Sequence, residues 1–342
     1  MPFDRKFQSI LQKKDKSFIN VTYDSGVNLK FFDCNNKLLK TKSLISGDFS
    51  FVDSNFNIDE NDNFYSVINN KKNSLNYYFI NNNSIISYPI LTYSNKKIAF
   101  KFPVIKRINN NIHLFFYLIS DNNKYNCYLY HFYYKENIWI KNKISHINCG
   151  ILTNYVALYD NDLLTVFYFN KISCCEELYI SIFDFNNNIW SNPYKITNNH
   201  NSKIYLSVIY NNGVYHIVYS ENNDNCYVCK YISLSISSNK IIVHNNKILY
   251  ENLACTFPHI IINNDMLYAQ WIEYSNLSTS YSNDLGNNWS KPTIFDDSST
   301  IMYSPEIIRY DIQSNYLTNN NCFVKNIYGY SNSYIPLGID IK

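Results

Sequence analysis

The sequence has little of what usually announces an activity. It holds three arginines, Arg5, Arg107 and Arg309, and a net charge of +3 in 342 residues. That charge is too weak to grip nucleic acid or an anionic membrane, so neither is expected as a partner. No run reaches the roughly 20 apolar residues that cross a bilayer, which argues against membrane insertion. Met1 to Lys6 lacks the apolar core of a cleaved signal, so the expected location is the cytoplasm. The nine cysteines are scattered and odd in number, as reduced thiols in such a compartment would be. Cys226 and Cys229 have the C-x-x-C spacing, but in a strand, positions three apart face opposite ways, and no second such pair completes a zinc site. Cys174-Cys175 reads as a loop pair. The seven histidines form no His-x-x-x-His pair. No metal and no cofactor is expected.

Glycine and proline are scarce too, at 7 and 8 residues, whereas 33 tyrosines and 22 phenylalanines are present beside many Ile and Asn. Aromatic and β-branched residues fit pleated, half-buried surfaces, and Asn fits the turns between them. The chain therefore reads as strands joined by Asn-rich turns. A repeat is legible in it. Ile204 to Glu251 holds four strands, with the first turn at Asn211-Asn212-Gly213. The same order recurs from Phe102 through Trp139, from Tyr155 through Trp190, and from Pro258 through Trp289. Less regular units begin near 7, 49 and 305. Seven starts at roughly 40 to 55 residue intervals predict one all-β domain over 1–342, a single β-propeller of four-stranded antiparallel blades. Seven blades are preferred. Six, with spare strands at one terminus, is the alternative.

The most complete corner is Ser282-Asn283-Asp284-Leu285-Gly286-Asn287-Asn288-Trp289. Asp284 can accept from backbone N–H groups, Gly286 supplies a positive φ, and Trp289 folds a ring over the turn. A Trp-Ser-x-Pro tail follows here and again at Trp190-Ser191-Asn192-Pro193. By this pattern, Ser-x-Asp-x-Gly-x-x-Trp, the chain resembles the Asp-box repeat propellers, sialidase-like proteins and their non-enzymatic relatives. In that resemblance Ser282, Asp284, Gly286 and Trp289 are structural, and Trp139, Trp190 and Trp289 are expected to be mostly buried at the last corners of their blades.

The resemblance also implies what a sialidase would need: three arginines around one carboxylate, a Tyr activated by a Glu, and an Asp as acid and base. Arg107 and Arg309 fall on or near first strands, which line a propeller channel, but Arg5 precedes the first strand. No catalytic residue is therefore assigned, and the three guanidinium groups are expected not to converge. Trp271 and Glu273 lie where a second strand runs into its loop. They are candidate ligand-binding residues with Arg107 and Arg309, although Trp271 reads equally as blade-to-blade core. His113 and His216 hold the same place in the repeat, which points to packing. The function expected is a non-catalytic binding module for a glycan or a protein partner. A sialidase-like glycoside hydrolase and a structural scaffold are the alternatives.

Overall fold

The structure, a computed structural model, describes residues 7–295, 307–314, 326–330 and 337, with short interruptions at 72, 82–83, 94–97, 109–110, 121–125, 161, 225, 238–239, 252–253 and 275. Arg5 and most of the strand expected near 334–341 lie outside the described residues. Apart from one 3-10 turn, Phe51–Asp53, every regular element among the described residues is a strand.

Six sheets, antiparallel but for one pair of strands in the first, follow one another around an axis. The first contains β1 (Phe7–Gln12), β2 (Phe18–Thr22), β3 (Gly26–Phe32) and β4 (Leu38–Ser46). The second contains β5 (Ser54–Ile58), β6 (Phe64–Asn70), β7 (Ser74–Ile80) and β8 (Ile85–Thr92), and the third β9 (Ile98–Ile108), β10 (Asn111–Ser120), β11 (Asn126–Lys135) and β12 (Ile138–Asn148). The fourth has β13 (Val156–Asp160), β14 (Leu163–Ile172) and β15 (Cys175–Asp184), with an edge broken into β16 (Ile189–Trp190) and β17 (Tyr194–Lys195). The fifth has β18 (Lys203–Asn211), β19 (Val214–Asn223), β20 (Cys226–Ser237) and β21 (Lys240–Tyr250). The sixth has β22 (Thr256–Asn263), β23 (Met266–Glu273), β24 (Asn276–Ser282) and β25 (Thr293–Ile294).

The preferred count of seven blades is corrected to six. The seventh start contributes β26 (Ile307–Ser314) and β27 (Asn326–Tyr330), which form no separate sheet. Instead β26 pairs in parallel with β1, Phe7 opposite Arg309, and closes the ring between the sixth and first blades. Five apolar clusters fill the seams between consecutive blades, and at the closure a sixth joins Ile10, Ile261, Tyr268, Tyr310 and Ile327. Outer strands such as β4 alternate little and are mostly exposed, because only one of their edges is covered.

The Ser282–Trp289 corner is self-supporting. Ser282 Oγ donates to Asp284 Oδ1 (2.8 Å) and accepts from Gly286 N (2.8 Å), while Asn288 N donates to Asp284 Oδ1 (2.7 Å) and Trp289 Nε1 to the Gly286 carbonyl (3.2 Å). After it, Ser290 Oγ accepts from Tyr281 N (3.0 Å), and Ser191 Oγ does the same for Ile182 N (3.0 Å) in the fourth blade. Trp139, Trp190 and Trp289 are half-buried, less than expected, because each lies over the edge of the preceding blade. Trp190 packs on His131 and Trp289 on Tyr231 (ring centroids 5.4 and 4.9 Å). Those two residues bond in turn to His113 Nδ1 (2.9 Å) and His216 Nδ1 (2.7 Å), so the repeated histidines do have a repeated packing role.

Gly286 has φ 91°, and a Cβ there would run into the Tyr231 hydroxyl. Gly286→Ala is expected to displace Tyr231 from His216 and to cost roughly 2–4 kcal/mol, from positive-φ strain together with overpacking. Urea denaturation checks this. A change below about 0.5 kcal/mol, the size of an ordinary surface substitution, would show that the turn is not held this way.

Candidate functional site

All the first strands enter the ring from the same face, so their N-terminal ends surround one mouth of the channel and their C-terminal ends the other. At the first mouth lies a cavity of about 230 Å³. Phe7, Phe51, Phe102, Tyr205 and Phe257 border it, coming from the entry to the first, second, third, fifth and sixth blades, while the connector 151–155 borders it at the fourth.

Three of these rings share one backbone device. Phe102, Tyr205 and Phe257 have φ of 51°, 58° and 49°. Each lies at a register shift where two residues of the first strand oppose one of the second. Such a bulge re-aims a side chain, and positive φ at an aromatic residue persists only where neighbours over-determine it. They do so here. Tyr155 Oη donates to the Phe102 carbonyl (2.7 Å) and Tyr328 Oη to that of Phe257 (3.0 Å). Asn154 clamps Leu206 from both sides, Nδ2 to its carbonyl (2.6 Å) and Oδ1 from its N–H (3.2 Å).

Arg309 enters this mouth from β26, with its guanidinium over the rings of Phe7 (4.7 Å), Phe51 (5.0 Å) and Phe257 (4.8 Å). Three rings hold one cation at the point where the propeller closes. Beside it His259 is 4% exposed and tilted on Tyr328 (5.3 Å), and neither ring nitrogen makes a well-formed hydrogen bond among the described residues. Burial first and the Arg309 charge second hold its pKa well below the usual histidine range, against a small opposing pull from the Pro258 carbonyl. Asp311 is the only carboxylate among the described lining residues, and it accepts from Gln313 Nε2 (2.9 Å).

At the opposite mouth a polar cavity of about 480 Å³ is bordered by Asp59, Glu60, Tyr65, Lys106, Arg107 and Tyr159, among others. Arg107 Nη1 pairs with Asp59 Oδ2 (2.6 Å). Its backbone N–H donates to Tyr65 Oη (3.1 Å), and burial pushes that phenol's pKa up. Arg107 and Arg309 therefore border different cavities with no lining residue in common.

Trp271 and Glu273 border neither cavity. Trp271 is 1% exposed in the seam between the fifth and sixth blades, the core position of its two readings. Glu273 is buried, accepts from Ser278 Oγ (3.1 Å), and has its pKa raised by burial. What sequence reasoning missed is the ring of bulged aromatics. Phe102-Pro103 and Phe257-Pro258 were the available signal, an aromatic-Pro pair at two first strands.

By sequence the chain matches no family model and no curated protein. By structure it is similar to a polysaccharide lyase of family PL25, an ulvan lyase solved bound to -[GlcA(1-4)Rha3S]-, with a TM-score of 0.62 at 8% identity over 95% of this chain and 89% of that one. It is also similar to polysaccharide lyase Uly1, with a TM-score of 0.56 at 9% identity over 85% and 81%. Hydrazine synthase of Kuenenia stuttgartiensis gives a TM-score of 0.50 at 10% identity over 80% and 75%. At such identities the likeness is one of fold, and the fold is a single all-β propeller.

Proposed function

We propose that the protein is a non-catalytic binding module of Asp-box type that takes a glycan at the mouth bordered by Phe102, Tyr205 and Phe257. The observation that carries this reading is the strained presentation of those three rings by the same bulge in three blades. Strain repeated around one opening fits a site that needs its aromatic faces fixed before a ligand arrives. Flat rings suit the apolar faces of sugars, and Arg309 supplies a charged edge. The cavity is smaller than the roughly 300–1,000 Å³ of drug-sized pockets, so it suits one sugar ring. The ulvan lyase shares the architecture and holds a glycan in its structure, which supports the reading by analogy of fold alone.

The sialidase-like alternative is disfavoured. Its chemistry needs convergent arginines and an activated Tyr, whereas Arg107 and Arg309 border separate cavities and Tyr65 is held protonated by burial. A glycan array followed by titration calorimetry is the test, with a fluorogenic sialoside assay beside it. Glycan binding without sialoside turnover is expected, and Tyr205→Ala should weaken it roughly tenfold, the size of a lost aromatic contact. Absence of any glycan ligand, or unchanged affinity in Tyr205→Ala, would refute the reading.

A further inference from the structure

Two pairs of cysteines occupy corresponding places in the repeat. Cys127 lies on β11, the third strand of its blade, and Cys149 on the connector that leaves that blade for the next. Cys229 lies on β20, again a third strand, and Cys255 on the connector that leaves the fifth blade. The geometry points to Cys127–Cys149 as a reversible thiol-oxidation site that closes to a disulfide with small-molecule disulfides, while Cys229–Cys255 stays reduced in the folded protein.

Register brings the first pair together. Cys127 opposes Ile147 in the β11–β12 ladder, and Cys149 follows the last paired residue, Asn148. The two side chains pack in one cluster and their thiols are hydrogen-bonded. Cys149 is half-buried, so a small oxidant can reach it, whereas Cys127 is 1% exposed and can act only on a sulfur already beside it. The Cys127 bond holds the Cys149 thiol below its usual pKa, and Lys171 adds to this against burial and Glu176. That makes Cys149 the attacking thiolate.

The second pair differs in access. Cys229 and Cys255 are each 1% exposed, and Cys255 is fixed by its N–H to the Tyr227 carbonyl (2.7 Å) and by Ser220 Oγ on its own carbonyl (2.8 Å). Burial, with the Cys255 bond, raises the Cys229 thiol well above its usual range. Neither thiol of this pair is open to an oxidant, so no first mixed disulfide forms there.

The chemistry is ordinary exchange. Cys149 thiolate attacks one sulfur of oxidised glutathione, forming a mixed disulfide and expelling one glutathione thiolate. Cys127 gives its proton to that thiolate and attacks the Cys149 sulfur, expelling the second glutathione. Two protein thiols become one disulfide as one glutathione disulfide becomes two thiols. The product anchors the start of the connector whose residues 151–155 border the channel mouth.

The test is to equilibrate the full chain with mixtures of oxidised and reduced glutathione, quench with an alkylating reagent, and map the linkages by mass spectrometry. The expected result is one intramolecular Cys127–Cys149 linkage, with Cys229 and Cys255 alkylated only after denaturation. Melting should rise by about 4–8 °C and return on reduction. In Cys127→Ala, Cys149 should instead persist as the glutathione adduct. A linkage at Cys174–Cys175 in its place, a stable glutathione adduct on Cys149 of the unmutated chain, or Cys127 and Cys149 both alkylated after oxidation would each overturn the proposal.

Discussion

Lys203→Met is expected to destabilise the propeller by roughly 3–5 kcal/mol, the cost of removing one partner of a buried ion pair. The Lys203 side chain is fully buried at the seam between the fourth and fifth blades. Its Nζ lies 3.1 Å from Glu177 Oε2 and 3.7 Å from Glu221 Oε2. It also donates to the carbonyls of Glu176 (3.0 Å) and Asn201 (2.6 Å) and to Asn199 Oδ1 (2.7 Å). Burial alone would raise the Glu177 carboxyl, but bonds from Thr197, His200 and Lys203 together hold it below the usual range. Without the ammonium, Glu177 and Glu221 face each other, with Lys230, 3.8 Å from Glu221, the one cation left beside them among the described residues. Combining Lys203→Met with Glu177→Gln and Glu221→Gln removes the uncompensated charge and should recover most of the loss. Urea denaturation of the single and triple variants decides the matter. A single-variant loss below about 1 kcal/mol, the range of exposed pairs, would mean that water reaches this cluster and screens it.

The repeat was legible because each blade solves the same burial problem with local sequence. Four strands, Asn-rich turns and a corner Trp recur, and a seam between any two blades looks like the next. The ring closure was not legible for the same reason. Pairing β26 with β1 joins opposite ends of the chain in parallel, and no period predicts a partner some 300 residues away. The sequence therefore counts seven starts, whereas the hydrogen bonds make six blades. The site was obscured by register. Phe102, Tyr205 and Phe257 read as ordinary strand residues, and their positive φ follows from a two-against-one slip that appears only when both strands are counted. Trp271 was ambiguous because β23 is buried on both faces for nearly its whole length, so alternation carries no information about which side faces a rim.

Acid should unfold the protein steeply, beginning near pH 6. Burial pushes His113 and His216 down to about 4. His131 and His259 are held well below the usual range, by burial first and then by the neighbouring His113 and Arg309 respectively. In the unfolded chain each would titrate near 6.5. Above that pH the imidazoles are neutral in both states and contribute nothing to the pH dependence. Below it the unfolded chain binds protons that the folded chain refuses, so stability is lost as pH falls from about 6.5 toward 4. Four such groups set a limiting slope of about 5 kcal/mol per pH unit, at about 1.4 for each proton. Two carboxyls oppose it. Burial raises Asp160 to about 6 despite Lys106, and raises Glu273, so the folded state keeps protons there that the unfolded state sheds. With both subtracted the net uptake is still about two protons, or roughly 3 kcal/mol per pH unit below pH 5.5. For a stability in the lower half of the usual range of about 5–15 kcal/mol, that loss places the acid transition between about pH 5 and 4. Urea midpoints taken from pH 7 to 4.5 measure the slope, and His216→Gln should flatten it by one proton. Stability unchanged within about 1 kcal/mol between pH 6.5 and 5 would mean that these imidazoles take up protons as readily in the folded protein as in the unfolded chain, and that burial does not hold the His113–His131 pair neutral.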